Sequence, residues 1–326
     1  MRHLTQEQRY TISQMLEAGY RKSEIARTIG VSKSTVTREV RRNADGRSGA
    51  YRYALAQRKA EERKRSKPHA VALTPEAKAY VEQKLTQDRW TPEQVSERAK
   101  REGGIRVSTT TVYRHIAADR KAGGTLHEYL RRGKPYRRLT GRYTDGRGCI
   151  RNRRDISERP PEVDARVRFG DLEVDTVIGA NHRGALLTII DRLSGYLWIR
   201  KLEGKNAAEL AEKALQALLP WKPWLHTITA DNGKEFAGHE AIAKELEILF
   251  YFAKPYHSWE RGANENANGL IRQFFPKKTR LDTISHEQAL WVERLLNNRP
   301  RKRLGFLTPK EKLEELLFNK KVAFTA

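Results

Sequence analysis

The sequence predicts a multidomain protein: two all-α helix-turn-helix units, followed by an α/β domain. Three observations predict it. A short helical pattern occurs twice in the first 120 residues, positive charge is concentrated in the same half, and the apolar period changes from helical to strand-like near Phe169. The expected boundaries are 1–62 and 70–122 for the helical units, 123–164 for a basic linker or arm, and 165–326 for the α/β domain.

The chain has 326 residues, enough for two or three separate cores, and a formal net charge of +24. Residues 1–165 hold 38 Lys and Arg against 20 Asp and Glu, whereas the remainder holds 26 against 20. A strongly basic half joined to a nearly balanced one indicates a polyanion-binding part attached to something else. A single cysteine, Cys149, excludes a disulfide framework and a Cys-rich zinc site. The N-terminus lacks an apolar signal core, and no apolar run approaches the ~20 residues that span a bilayer. A cytoplasmic protein without membrane contact is expected.

In the first unit Thr5 and Gln8 form a capping box, opening a helix with Ile12, Met15 and Leu16 on one face, and Gly19 ends it. A short helix with Ile25 and Ile29, the turn "IGVS" and a third helix capped by Ser32 complete the motif. Val36 and Val40 face inward, which turns Lys33, Ser34, Thr37, Arg38 and Arg41 outward toward DNA. The second unit repeats the plan. "LTQEQRYTISQML" and "LTPEAKAYVEQKL" lie 69 residues apart, while "STVTREV" and "TTVYRHI" lie 76 apart, the difference fitting a longer turn around "REGGIRV". Thr91, Pro92 and Gln94 supply the N-cap, first-turn proline and capping amide of its middle helix. Thr109, Thr110, Tyr113 and Arg114 take the outward, DNA-facing positions of the second recognition helix. Tandem readers of this kind span successive major-groove segments of double-stranded DNA, with Lys and Arg contacting phosphates. "QRKAEERKRSKPH" reads as a basic helix end plus linker. The Arg-, Gly- and Pro-rich stretch from Tyr129 to Pro161 reads as an arm that orders along the phosphate backbone.

From Phe169 onward, "FGDLEVDTVIG", "ALLTIID" and "GYLWIRKLE" are three consecutive strands with short polar turns. Helix 206–219, strand "HTITA", helix 239–246, strand "EILFYF", a helix containing Glu265 and a late helix through "EQALWVERLLNN" follow. Three meander strands, then helix, strand, helix, strand, helix is the order of an RNase H-like (retroviral integrase-like) fold.

Three acids hold distinctive places in that order. Asp175 lies within the first strand, Asp231 follows the fourth and opens "DNGKEF", and Glu265 begins the helix after the fifth. If the first and fourth strands are neighbours, both aspartates enter one pocket within reach of Glu265. Carboxylate oxygens are the ligands that Mg²⁺ or Mn²⁺ requires. Two such ions per site can activate a water or 3′-hydroxyl and stabilise the leaving oxygen of a phosphodiester.

"EVDTVIG", "TADNGKEF", "PYHSWERGANENANGLIRQFFPK" and "NNRPRKRLGFLTP" resemble, in that order, the DDE transposases of bacterial insertion sequences, in the branch of insertion sequence thirty. The likeness covers essentially the whole chain, including the helix-turn-helix "IARTIGVSKSTVTREVRRN" and the 33 residues between the second and third acids. The resemblance implies that Asp175, Asp231 and Glu265 form the catalytic, metal-binding triad. It also implies that the protein binds the terminal inverted repeats and target DNA of its element, cleaving and joining strands. A DNA-binding regulator with an inactive RNase H-like domain, or a nuclease without joining activity, is the alternative. Joining two ends calls for a homodimer or larger assembly on DNA.

Other residues carry lesser expectations. Asp171 and Glu173 share the strand face of Asp175, Glu235 lies within the second motif, and Glu260 precedes the third. Each reads as a surface acid or a support for the triad, as does Asp191 for support. His257 fits a contact to the scissile phosphate or packing on Tyr256 or Trp259, and Arg272 fits a phosphate contact or a solvated arginine. Trp198, Trp221 and Trp224 read as core, and "NNRPRKR" (297–303) reads as a DNA-backbone patch.

Overall fold

The computed structural model describes residues 3–66, 73–131, 150, 152–204, 206–254 and 262–325, with side chains as far as 318. The chain forms two compact units, Met1–Ala72 and Leu73–Ala326.

The first unit contains α1 (Gln6–Glu17), α2 (Lys22–Thr28), α3 (Lys33–Asn43) and α4 (Tyr53–Ser66). The Thr5–Gln8 capping box and the Ser32 cap of α3 form as their residue types require. Ile12, Ile25 and Val36 are fully buried and meet Ala56 of α4, while Met15, Leu16, Ile29 and Val40 flank them. A buried ion pair between Arg9 and Glu39 at 2.7 Å ties α1 to the inner side of α3.

The second unit opens with the repeated motif. Helices α5 (Pro75–Thr86), α6 (Pro92–Glu102) and α7 (Thr109–Lys121) enclose Val81, Leu85, Val95, Val112 and Ile116. Thr91 caps α6 with Gln94 closing the box, and Pro92 occupies the first turn. Both recognition helices share one frame. Ser32 and Ser108 each accept the amide three residues on, while Val36 and Val112, four residues past the caps, are fully buried.

The remainder of the unit is built on one six-stranded sheet. Its strands are β1 (Arg154–Asp155), β2 (Asp171–Ile178), β3 (Ala185–Asp191), β4 (Leu197–Leu202), β5 (Thr227–Ala230) and β6 (Leu249–Phe252). They lie in the order β1-β6-β5-β2-β3-β4. The meander β2–β3–β4 is antiparallel, whereas β5 and β6 add parallel to the other side of β2. This is the integrase-like α/β arrangement the sequence predicts. Two pieces lie outside that expectation: the short helix α8 (Pro161–Ala165) and the edge strand β1, both upstream of Phe169.

Helices cover both faces, as a mixed sheet with a parallel half requires. Leu172, Val174, Leu187 and Ile228 face α9 (Ala207–Leu218) and α10 (His239–Leu246). Val177, Leu186 and Ile199 face α11 (Gly262–Ile271) and α12 (His286–Asn297). The last helix, α13 (Pro309–Thr325), sends Leu313 into the first of these cores. Trp198 is 2% exposed and lies in the core, where it stacks edge-on with Trp221, and the partly buried Trp221 and Trp224 pack against that core. The outer strand β4 does not expose its ladder groups. Glu293 accepts from the Ile199 amide at 2.6 Å, and Asn297 brackets the amide and carbonyl of Leu197, which blunts the edge. Among the described residues no helix is long and apolar enough to cross a membrane.

Candidate active site and DNA-reading helices

The site begins with strand register. Parallel pairing sets Asp171 beside Thr227, Leu172 beside Ile228 and Glu173 beside Thr229. Continuing that register by two residues sets Asp175 beside Asp231, where β5 has just ended. Side chains alternate across a strand, so the two aspartates leave the same face at neighbouring strand positions. The fit predicted from the order of elements is therefore present for this pair.

Each aspartate is held in place. Asp175 Oδ1 accepts the Thr176 amide at 2.8 Å, and its Oδ2 accepts Nδ2 of Asn268 at 2.8 Å. Asp231 Oδ1 accepts the Gly233 amide at 2.8 Å, closing the tight turn of "DNGKEF". Asn232 donates to the Ala253 carbonyl at 2.6 Å and ties this turn to the end of β6. Gly233 keeps space open between two carboxylates and has no unusual backbone angle. A Cβ there would stand 2.9 Å from Asp231 Oδ1 and 2.7 Å from Glu235 Oε2. Two carboxylates thus crowd over one glycine, and Glu235 is further fixed by the Thr176 hydroxyl at 2.9 Å.

Glu265 lies in the first turn of α11 and is solvent-exposed. It stands one turn before Asn268, the residue that touches Asp175, so the two share a helix face. The start of the helix is anchored from below: the Asn264 amide donates to Glu173 Oε2 at 3.0 Å. An anionic partner suits a helix N-terminus, where backbone amides lack intrahelical acceptors. Among the described residues no group of three His, Cys, Asp or Glu side chains is gathered closely enough to hold a metal ion. The donor chemistry nevertheless fits a hard divalent cation: two oriented aspartates, an exposed glutamate on the facing helix, and a glycine that leaves room between carboxylates.

Three neighbouring acids are buried, which removes the surface reading and leaves that of support, while Asp191 and Arg272 depart from their readings. Asp171 and Glu173 are fully buried and not surface acids; the first pairs with Arg168 and the second with Arg192 at 3.0 Å. Glu235 is also buried. Asp191 does not support the triad. It accepts from the Gly170 and Ser194 amides and from the Ser194 hydroxyl, organising the β3–β4 turn, and burial pushes its carboxyl up to about 6. Arg272 is neither solvated nor directed at the site, because it donates to the Ile178 carbonyl at 2.7 Å. Glu260, His257, Tyr256 and Trp259 lie outside the described residues, as do residues 132–149 and 151 of the basic arm.

Two arginines of the basic stretch 297–303 prove to be structural, while Lys302 and Arg303 are exposed. Arg299 is 3% exposed and donates to Gln94 and Gln273, while Arg301 donates to the Leu296 carbonyl. Burial lowers the pKa of both, Arg299 to about 10 and Arg301 to about 9, so both stay charged at neutral pH. Sequence reasoning also missed Asn268. The only signal was its spacing of three from Glu265, which any helix in an Asn-rich stretch would give.

The positions expected to face outward on α3 and α7 are nearly all exposed. Lys33, Ser34, Thr37, Arg38 and Arg41 of α3 are all exposed, as are Thr110, Tyr113 and Arg114 of α7, with Thr109 half-buried at its first turn. Arg38 Nε donates to the Ser34 carbonyl at 3.1 Å, which lays its side chain along the outer face of α3. The buried positions are Val36 and Asn43 in α3 and Val112 and Ile116 in α7, none of them on the outer face, so substitutions there leave the packing alone.

A sheet of this topology with paired carboxylates at adjacent strand ends, carried with helix-turn-helix readers, defines a DNA recombinase of the integrase kind. A helix-turn-helix domain model matches residues 1–43, a homeodomain-like domain model residues 35–116, and an integrase core domain model residues 168–258. The chain belongs to the transposases of bacterial insertion sequences, among those like the IS30 transposases. It is 53% identical to the transposase for insertion sequence element IS4351 of Bacteroides fragilis, over 100% of this chain and 99% of that one. It is 36% identical to the transposase InsI for IS30C of Escherichia coli, over 96% of this chain and 83% of that one. Identity to the transposase for IS1086 of Cupriavidus metallidurans is 33%, over 90% and 89%. Among solved structures it is similar to the catalytic core domain of BIV integrase, at 20% identity and a TM-score of 0.38 over 46% of this chain and 97% of that one, a likeness too distant to add to the assignment. It is thus a DNA-binding, DNA-cutting and DNA-joining enzyme of a family that generally uses divalent metal ions.

Proposed function

We propose that α3 and α7 read the terminal inverted repeats of the protein's own element and that Asp175, Asp231 and Glu265 cut and join strands as a DDE triad. The observation that supports this reading is the register of β2 against β5, which pairs Glu173 with Thr229 and, continued by two residues, brings Asp175 beside Asp231. Glu265 approaches from α11, whose start is tied to Glu173 and whose next turn is tied to Asp175 through Asn268.

The triad would hold two Mg²⁺ or Mn²⁺ ions, which supply activation of the attacking water or 3′-hydroxyl and stabilisation of the leaving oxygen at the phosphodiester. The chain's own contribution is orientation. The Thr176 amide and Asn268 fix both oxygens of Asp175, and the Gly233 amide fixes Asp231 in its turn. Fixed carboxylates pay little reorganisation when charge develops. The exposed outer residues of α3 and α7 supply base and phosphate contacts. We assign 1–62 to the first reader, 70–122 to the second reader and 165–326 to the catalytic core, with 123–164 as a basic arm whose β1 joins the sheet of the core. Joining two ends calls for at least a homodimer on DNA, in the cytoplasm where the element resides.

The test is incubation of purified protein with end-labelled duplex from the flanks of its gene, with and without Mg²⁺ or Mn²⁺. Metal-dependent nicks at the element end and strand-transfer joints are expected. Binding without nicking would identify a regulator, and nicking without joints a nuclease. A complex that sizes as one protein molecule yet joins paired ends would overturn the dimer.

A further inference from the structure

The second reader is docked on the catalytic core through α6, the helix before its proposed recognition helix α7. Arg98 pairs with both oxygens of Glu311 at the start of α13 and also donates to the Phe306 carbonyl at 3.2 Å. Gln94 donates to the Pro300 carbonyl at 2.7 Å, Arg101 to the Gly305 carbonyl at 3.0 Å, and Lys302 to Glu93 at 2.6 Å. Every one of these partners lies in the segment from Pro300 to Glu311 that follows α12.

The contact continues to the catalytic helix. Buried Arg299 donates Nε to Gln94 at 3.1 Å and Nη1 to Gln273 at 3.0 Å, and Gln273 lies two residues past the end of α11. Arg131, in the segment that follows the second reader, approaches α11 at Gly269, beside Asn268. A guanidinium satisfied by two neutral amides gains no charge partner in exchange for its lost water, so those bonds must be kept. Were the reader to swing away, the Gln94 bond would break. Meanwhile Thr110, Tyr113 and Arg114 on α7 remain exposed.

We propose that Gln94, Arg98 and Arg299 are positioning residues, which hold the second reader at a fixed offset from the Asp175–Asp231 edge so that the DNA bound by α7 determines which phosphodiester is cut. This rests on the transposase reading of the site. The reader acts as a ruler whose zero is set by the α6 contact. Displacement of a reacting group by about 1 Å costs on the order of 100-fold in rate, so loosening the contact affects position and yield of cutting before it affects binding.

The experiment uses the full-length chain and labelled duplex from the flanks of its gene. Arg98→Ala removes the bidentate pair, and Arg98→Lys keeps one charge contact. Lys302→Glu sets two carboxylates against each other at the exposed rim of the contact, where no buried group changes, and the swap Glu93→Lys with Lys302→Glu restores attraction. Arg98→Ala and Lys302→Glu should bind end DNA within about twofold of wild type, yet cut neighbouring phosphodiesters and lose roughly 10- to 100-fold of product at the wild-type position. Arg98→Lys should fall between, and the charge swap should recover the single cut. Variants that cut at the wild-type position with wild-type yield overturn the ruler alone. A wild-type protein that cuts nowhere overturns the reading of the site, and the ruler with it.

Discussion

Removing the positive partner of Glu173 should destabilise the core and loosen the helix that carries Glu265. Glu173 is fully buried, the side chain of Arg192 is 5% exposed, and they lie 3.0 Å apart. Burial opposes the charge on Arg192, so the ion pair and the contact to Asp164 at 3.2 Å are what retain it. Arg192→Met refills the volume and leaves Glu173 as an uncompensated buried anion. Losing one partner of a buried pair costs about 3–5 kcal/mol. The lower end applies here, because Glu173 Oε1 and Arg192 Nη1 are not aligned as a hydrogen bond. A loss of about 3 kcal/mol in a unit of this size lowers Tm by roughly 6–12 °C. Adding Glu173→Gln removes the stranded charge and keeps an acceptor for the Asn264 amide, so the double variant should recover most of the loss. Urea unfolding of the four members of the cycle, at matched pH and salt, measures the coupling. An Arg192→Met protein within about 0.5 kcal/mol of wild type, or a double variant no better than the single, would refute the reasoning.

Three further outcomes follow from the same geometry. Glu265→Gln should bind end DNA like wild type and be almost inactive in cleavage and joining, with Asp175→Asn and Asp231→Asn alike and the losses strongly non-additive; normal nicking by Glu265→Gln beside an inactive Glu260→Gln would mean that Glu260 is the third acid. Arg38→Ala and Arg114→Ala should each weaken specific end binding by roughly 1–3 kcal/mol in a gel-shift titration, and two variants that bind like wild type would sink the two-reader model. Asp191, with its folded pKa raised to about 6, takes up its proton earlier in the folded than in the unfolded chain. Its contribution to stability therefore rises as pH falls from about 7 toward 4, by at most about 3 kcal/mol, and Asp191→Asn should flatten that part of a stability–pH curve.

The order of strands and helices was legible because period and caps are local. Thr5, Ser32 and Thr91 cap helices as their types demand, and helix 239–246 begins and ends where its apolar spacing does. The aspartate pair was legible as well, since it needed only strand adjacency. What escaped depends on partners distant in sequence. Nothing local distinguishes an arginine bound for phosphate from one bound for a carbonyl, so 297–303 looked like a DNA surface until Arg299 was seen to meet Gln94, 205 residues away. The burial of Glu173 has the same origin: its guanidinium partner lies on the turn after β3. β1 was hidden because two residues are too few to establish a period.

The common frame of α3 and α7 separates grammar from vocabulary. In both, a serine opens the helix and a buried valine sits four residues on, while Arg38 and Arg114 stand six residues past their caps. The inward letters specify only that a helix be there. The outward letters can therefore be transplanted between the two helices, or rewritten, while the hydrophobic wording beneath them stays the same. An element could thus drift to new terminal sequences one exposed side chain at a time, keeping both of its readers folded throughout.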